Sequence, residues 1–167
     1  SDKANQNTLN EVLKSDIVLW ALRANQSARK NDAIIREQIK AHYLDNPQYK
    51  SPRIVGVITQ VDKLTSTSNF SEVETMSDLV DETTIKNIIK YNIDQLVLDD
   101  AVLISTKDGK TIGADRLEAV FVKYLWDAQQ TQLNRRRIEA SDTSLYQQFN
   151  RILKSSKAVL GAIYSDD

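Results

Sequence analysis

Three short apolar runs, rich in β-branched residues, constrain the fold of this chain more than any other feature. They occupy residues 16–22, 53–59 and 100–105, and none of them alternates polar with apolar side chains. Continuous runs of this length are typical of strands covered on both faces, as in parallel sheets. A buried helix segment is the alternative, but the short length and the Val and Ile content favour strands.

Helical periodicity fills the intervals between the three predicted strands. An amphipathic helix is predicted before the first run, a second between the first and second runs, a third before the last run and a fourth after it. The order α-β-α-β-α-β-α predicts right-handed crossovers and a parallel three-stranded sheet flanked by helices on both faces. We therefore assign the α/β class. The first strand would then leave an apolar edge exposed, so we expect this sheet to be part of a larger one.

The character of the chain changes at residue 129. Residues 129–137 are polar and basic, and apolar side chains then recur at spacings of three and four from Leu145 to Ile163. This pattern predicts a separate amphipathic helix with Asp142 as its N-cap. We therefore predict an α/β domain over residues 1–128 and a helical extension over residues 129–167.

Composition excludes several kinds of site. The chain has no Cys and one His, which excludes disulfides, Cys-ligated zinc and a multi-His metal centre. A net charge of -1 gives no general case for binding polyanions. No apolar run reaches the ~18 residues of a membrane span and there is no signal peptide pattern. We therefore expect a cytoplasmic location.

The residues at the ends of the second and third predicted strands are the candidates for a ligand site. Thr59-Gln60-Val61-Asp62 stands at the end of the second strand and Ser105-Thr106-Lys107 at the end of the third. Ligands of open parallel sheets bind at the carboxyl ends of the strands. The alternative is that Asp62 caps the following turn and that Ser105 closes a loop.

These two motifs resemble those that recognise the base in P-loop GTPases. The first is similar to the motif N/T-K/Q-x-D, and the second resembles its companion, S-A-K. From about residue 7 to residue 125 the chain resembles the second half of an Era-like or septin-like GTPase domain. The resemblance implies a site for the guanine base of GTP or GDP.

The same resemblance implies a role for each residue of the two motifs. Asp62 would accept the two N–H groups of the guanine edge, and Gln60 would lie along the base plane. Thr59 would tie the two loops together, with Ser105 in a supporting role. The backbone N–H near Thr106 would donate to guanine O6, and the stem of Lys107 would cover the other face of the ring.

Other motifs of that family are missing from the sequence. There is no G-x-x-x-x-G-K-S/T loop and no D-x-x-G motif, so nothing here would hold the phosphates, Mg²⁺ or the attacking water. The parent protein is expected to hydrolyse GTP to GDP, with Mg²⁺ held by a missing N-terminal half, and this chain alone is expected to be inactive. The chain begins with Ser1 and its only Met is Met76, so we expect a fragment.

Two other functions remain open at this point. The chain could be a non-enzymatic interaction module, a degenerate GTPase remnant that binds a partner protein through its C-terminal helix. Self-association through that helix or through the edge of the first strand belongs to the same alternative. Arg135-Arg136-Arg137 could contact RNA or an anionic membrane, although three arginines are fewer than polybasic lipid sites usually carry. A solvated helix face is the ordinary explanation of such a run.

Overall fold

The structure, a computed structural model, describes residues 2–26, 29–65 and 70–163. The loop predicted at residues 65–71 lies partly outside these ranges, and the apolar face predicted from Leu145 to Ile163 falls on side chains outside those described. In chain order the helices and strands are α1 (Asp2–Leu13), β1 (Ile17–Arg23), α2 (Lys30–Asp45), β2 (Arg53–Thr59), α3 (Met76–Leu79), α4 (Glu82–Leu96), β3 (Asp100–Leu103), β4 (Ser105–Lys107), β5 (Lys110–Ile112) and α5 (Ala114–Ile163). Two short 3₁₀ helices, Val61–Leu64 and Phe70–Glu72, follow β2.

The three predicted strands form one parallel sheet in the order β1-β2-β3. Strand β2 lies in the middle and pairs along its whole length with β1, from Ile17 opposite Arg53 to Arg23 opposite Thr59. Within the described part of the chain, β1 and β3 are the two edges of this sheet. The α/β class and the three-stranded parallel sheet are therefore confirmed.

One face of the sheet packs against α1, α2 and α4 to form the main core. Trp20 and Leu22 of β1 and Ile58 of β2 are buried here, and Ile39 of α2 and Leu96 of α4 are completely inaccessible. The helices are placed by local signals as well as by burial. The Asp81 carboxylate caps α4 by accepting the Thr84 backbone N–H. The helix ends at Leu96, because the next residue, Val97, has a left-handed backbone with a φ of 49°.

The other face of the sheet is covered only in part, by α5. Val55 of β2 and Val102 of β3 are buried on this side, and so is Tyr124 of α5. On β1, however, Leu19 is 42% exposed and Ala21 is also exposed. The expectation that both faces of every strand are covered is therefore wrong for β1, because α5 contacts β2 and β3 but reaches β1 only at its amino end.

Ion pairs attach α5 to the amino ends of all three strands. The Lys123 ammonium lies 2.7 Å from the Asp100 carboxylate at the start of β3. Asp127 forms an ion pair with Arg53 at the start of β2. Arg135 bonds the Asp16 carboxylate and the Ser15 carbonyl just before β1. Helix α5 therefore runs past the amino ends of the three strands, at the edge of the sheet opposite to their carboxyl ends.

Helix α5 is a single helix of 50 residues, where the sequence predicted two helices. It continues without a break through residues 128 and 129, and Asp142 lies inside it rather than at an N-terminus. The polar stretch at residues 129–137 consists mostly of Gln, Arg and other good helix formers, so loss of the apolar periodicity did not end the helix. Within the described residues, no helix is apolar enough over a sufficient length to cross a membrane.

Candidate functional site

The structure brings the two sequence motifs together at the carboxyl edge of the sheet. Thr59 is the last residue of β2, and Asp62 lies in the 3₁₀ helix that follows it. Ser105 comes two residues after the end of β3, and the backbone between them stays against β2 because the Ile104 N–H donates to Ile58. Parallel neighbouring strands place these two ends side by side.

A direct contact between Asp62 and Ser105 joins the two motifs. The Ser105 hydroxyl donates a short hydrogen bond to Oδ1 of Asp62 and accepts the Asp62 backbone N–H at 3.3 Å. Ser105 is completely buried, whereas Asp62 is half-buried. Within the described part of the chain, Oδ2 of Asp62 has no hydrogen-bond partner. One carboxylate oxygen is therefore held in place and the other is left to accept bonds from a ligand.

The turn between Thr59 and Asp62 depends on an unusual backbone conformation. Gln60 has a φ of 60° and a ψ of 36°, the left-handed region that non-glycine residues seldom occupy. Its carbonyl accepts the Lys63 N–H at 3.1 Å, which closes the turn into the 3₁₀ helix. The Thr59 hydroxyl donates to the Leu22 carbonyl at 3.0 Å, so Thr59 ties β2 to the end of β1. The contact between the two motifs is made by Asp62 and Ser105.

The second motif forms one strand of a hairpin that the sequence analysis did not predict. Strand β4 pairs antiparallel with β5, and Asp108-Gly109 forms the two-residue turn with φ values of 52° and 78°. Asp-Gly between short strands is a strong hairpin signal and could have revealed it. Thr106 pairs with Thr111 in the middle of the ladder, and their hydroxyls lie 3.0 Å apart.

The hairpin geometry decides where the backbone of Thr106 points. The residues next to a two-residue turn, here Lys107 and Lys110, form a hydrogen-bonded pair, and bonded and non-bonded pairs alternate along the ladder. We therefore expect the Thr106 amide to point away from β5. The Lys107 ammonium lies 5.9 Å from the centre of the Phe70 ring, so this side chain reaches the 3₁₀ helix Phe70–Glu72.

Arg29 is a residue near this edge that the sequence analysis did not single out. It is only 7% exposed, and its guanidinium donates to the Arg23 carbonyl at the end of β1 and to the Asn92 side chain of α4. Asn92 in turn donates to the Ile88 carbonyl. The guanidinium thus holds the carboxyl end of β1 against α4. No sequence pattern marks a role of this kind, because it depends on which polar groups tertiary packing brings close.

The candidate site does not coincide with the groove beside α4 and α5. A groove of about 730 Å³ runs between α4 and the first turns of α5, along the outer edge of β3, and none of the six candidate residues lines it. Within the described residues, no group of three or more His, Cys, Asp or Glu side chains could hold a metal ion. The candidate site is therefore defined by the contact between the two motifs.

Comparison of the chain with protein-family models, with curated proteins and with solved structures found no match. The structure therefore has to be described by its own features. It is an α/β fold with a three-stranded parallel sheet, two sequence motifs joined at the carboxyl edge of the sheet and a long C-terminal helix.

Proposed function

We propose that this chain recognises the guanine base of GTP or GDP at the carboxyl edge of its sheet. One observation carries the proposal: the Asp62 carboxylate is fixed by the buried Ser105 hydroxyl through Oδ1, while Oδ2 has no partner among the described residues. A carboxylate held in this way needs little reordering when it accepts a ligand, which favours binding.

The chemistry of the base explains why a carboxylate suits this position. Guanine presents N1–H and N2–H side by side, and a carboxylate can accept both in a charge-assisted, bidentate contact. Adenine has no such pair of donors and would leave the carboxylate unsatisfied. A site built to pair polar groups rejects a ligand that lacks them, by orders of magnitude. Asp62 is therefore the residue on which base selectivity depends in this proposal.

The other candidate residues complete the proposed site. The Thr106 amide, directed away from β5, would donate to O6 of the base. Gln60 and the stem of Lys107 would pack against the two faces of the ring, and Thr59 would keep the first motif against β1 through its bond to Leu22. None of these contacts involves phosphate, so the proposed site distinguishes bases and not the number of phosphates.

Hydrolysis is proposed for the parent protein and not for this chain by itself. The sequence of this chain has no glycine-rich phosphate loop and no D-x-x-G motif, and these elements hold the phosphates and Mg²⁺ in P-loop GTPases. We propose that such elements belong to another part of a cytoplasmic GTP-binding protein. Purified material of this sequence should release no phosphate from GTP above background.

The proposal can be tested by titrating the folded chain with guanosine, GDP, GTP and ATP. Binding is measured by calorimetry or by changes in NMR chemical shifts. We expect binding that selects guanine over adenine and depends little on the phosphate count. Asp62→Asn should weaken guanosine binding by about tenfold to hundredfold, because a hydrogen bond to a charged group is worth ~1.5–3 kcal/mol. The same variant should gain xanthosine binding, because Asn supplies a donor where xanthine has gained an acceptor.

Asp108→Asn is the matched control for this experiment. Asp108 is an exposed carboxylate in the turn of the hairpin, and Asn is also accepted at a positive φ. This variant should bind guanosine as the unchanged chain does. The proposal is wrong if a well-folded chain shows no selectivity between bases, or if Asp62→Asn binds guanosine as tightly as the unchanged chain.

A further inference from the structure

The turn of the β4–β5 hairpin is the only Asp-Gly sequence in the chain. Asp108 and Gly109 are both exposed and have φ values of 52° and 78°. Within the described part of the chain, the Asp108 carboxylate makes no hydrogen bond or ion pair, and the Gly109 N–H has no acceptor. A carboxyl carbon and the amide nitrogen that follows it along the backbone are therefore both free to react.

An amide nitrogen in this position can attack the carboxyl group of the preceding aspartate. The Gly109 nitrogen forms a bond to Cγ of Asp108, and the amide proton and the carboxyl OH leave as water. The product is a five-membered succinimide ring. Water then opens the ring at either carbonyl, and opening at the main-chain carbonyl gives isoaspartate, whose backbone runs through Cβ and Cγ. One water is lost and one is regained, so no other reactant is needed.

The hairpin offers little resistance to this ring closure. Glycine has no Cβ to hinder attack by its nitrogen, and a Cβ built at Gly109 would meet no atom within 4 Å, so the turn projects into open space. Asp108 must rotate out of its left-handed conformation for the ring to close. Each strand of the hairpin has only three residues. Two-stranded ribbons of this size are marginally stable, so local opening at the tip supplies the rotation.

We propose that Asp108-Gly109 is a site of spontaneous backbone isomerisation, at which Asp108 becomes isoaspartate in the folded protein. Other aspartates lack this combination of features. Asp115 is also exposed, but it lies in the first turn of α5 and is followed by Arg116. The carboxylate of Asp81 is held by bonds from Thr84.

Isomerisation would change the length of the turn. It adds one carbon–carbon bond, about 1.5 Å, to the backbone between β4 and β5. The backbone twist of a two-residue hairpin turn matches that of its strands, and a longer connection requires another type of turn. The pairing of Lys107 with Lys110, directly beside the turn, should therefore be lost.

A consequence for the proposed guanine site follows, and this part of the inference rests on the proposed function. The ladder with β5 holds Thr106 and Lys107, which would contact the base. Ser105 pairs with Ile112 at the other end of the ladder, so its bond to Asp62 would stay in place. The isomerised chain should therefore bind guanosine several-fold more weakly while still preferring it to adenosine.

Incubation of the folded chain in H₂¹⁸O for several weeks, without nucleotide, tests the proposal. The chain is then digested with an endoproteinase that cuts before aspartate but not before isoaspartate. We expect a peptide of residues 100–114, labelled with ¹⁸O, to accumulate at the expense of peptides 100–107 and 108–114. The cut before Asp115 should stay complete, which makes Asp115 the internal control. If peptide 100–114 forms in guanidinium chloride but not in the folded chain, the turn protects Asp108 and the proposal is overturned.

Gly109→Ala is the variant that tests the role of glycine. Its methyl group hinders attack by the nitrogen, so peptide 100–114 should accumulate several-fold more slowly than in the unchanged chain. Equal rates in the two chains would overturn the proposed reaction. Asp108→Asn passes through the same ring with loss of ammonia, so this variant has to be freshly purified when it serves as the binding control.

Guanosine titration of fresh and aged chain tests the consequence for binding. Aged chain that contains isoaspartate should bind several-fold more weakly, and an unchanged affinity would overturn the effect on the guanine site. Fresh chain that does not bind guanosine would instead contradict the proposed function. Because the peptides are measured without nucleotide, the isomerisation itself is tested independently of the guanine site.

Discussion

Gly113 lies where the β4–β5 hairpin meets the end of β3, and no other residue fits this position without strain. Its φ is 87°, and a Cβ built there would lie 2.2 Å from the Leu103 carbonyl oxygen. Gly113→Ala should therefore lower the free energy of unfolding by about 3 kcal/mol or more, through a backbone clash added to an unfavourable φ. Chemical denaturation measures the change.

Gly109 provides the control for that substitution. Its φ of 78° is similar, but no atom lies within 4 Å of a Cβ built there. Gly109→Ala should cost about 1–2 kcal/mol, from the left-handed backbone alone. Equal losses in the two variants would contradict the role assigned to the contact between Gly113 and β3.

At the scale of single residues, the sequence predicts which side chains stand at the carboxyl edge but not how they pair. Asp62 and Ser105 are 43 residues apart, and their hydrogen bonds depend on the register of β2 and β3, which sets where the two strands end relative to each other. The buried bond between Arg29 and Asn92 spans 63 residues and has the same origin. The role of Asp62 in binding guanine stays a prediction, drawn from the residue types and from a resemblance.

At the scale of elements, periodic segments are predictable and very short or polar ones are not. Strands β4 and β5 have three residues each, which is too few for alternation to be visible. The polar stretch at residues 129–137 lacks an apolar stripe of the usual kind, so a break was predicted where the helix continues. Its contacts with the domain are made by polar side chains: Arg135 bonds Asp16 and Ser15, and Asn134 bonds the backbone of Gln48 and Lys50.

Arg135 anchors the middle of α5 to the start of β1. Its side chain is 20% exposed and bonds the Asp16 carboxylate at 2.7 Å as well as the Ser15 carbonyl. Arg135→Ala should lower the free energy of unfolding by about 1–2 kcal/mol, because it removes charge-assisted bonds at a partly buried position. Arg137→Ala, two residues along on an exposed part of the helix, should change it little. Similar effects of the two variants in urea denaturation would refute the anchoring role.

At the scale of the whole molecule, the sheet follows from its three apolar runs. Burial against helices is the strongest constraint on such runs, and it allowed strands in a parallel sheet to be predicted. Which strands α5 covers on the second face of the sheet could not be predicted from the strand sequences. Leu19 and Ala21 of β1 are exposed because α5 covers β2 and β3, and the path of a helix over a sheet is set by anchors such as Asp127 and Arg135 rather than by the strand sequence.

The stability of the whole molecule should fall in acid partly through the helix caps. Bonds from Thr84 hold the pKa of Asp81 below its ordinary value of 3.8, and bonds from the Thr75 and Glu74 backbones do the same for Asp78. A carboxyl group whose pKa is lower in the folded than in the unfolded state stabilises the fold fully above its unfolded-state pKa. This contribution to stability is lost as the pH falls through the folded-state pKa. The free energy of unfolding should therefore decline below about pH 4.

Asp81→Asn separates the cap from its titration. Asn is as good an N-cap as Asp, so the variant should keep α4 intact at neutral pH. Its stability should fall less steeply than that of the unchanged chain as pH drops below about 4, because position 81 no longer binds a proton. Parallel urea denaturation curves at pH 3 to 7 make the comparison, and equally steep declines would show that the Asp81 carboxylate does not contribute.

The left-handed backbone at Gln60 limits which residues mutation can place there. Glycine, asparagine and aspartate adopt this conformation readily, whereas valine, isoleucine and threonine would be strained. Selection for folding alone would thus remove β-branched residues from position 60 in any collection of variants. Their absence would reflect the shape of the turn, and it would carry no information about ligand binding. The substitutions that report on binding at this position are those among residues that tolerate the turn equally well.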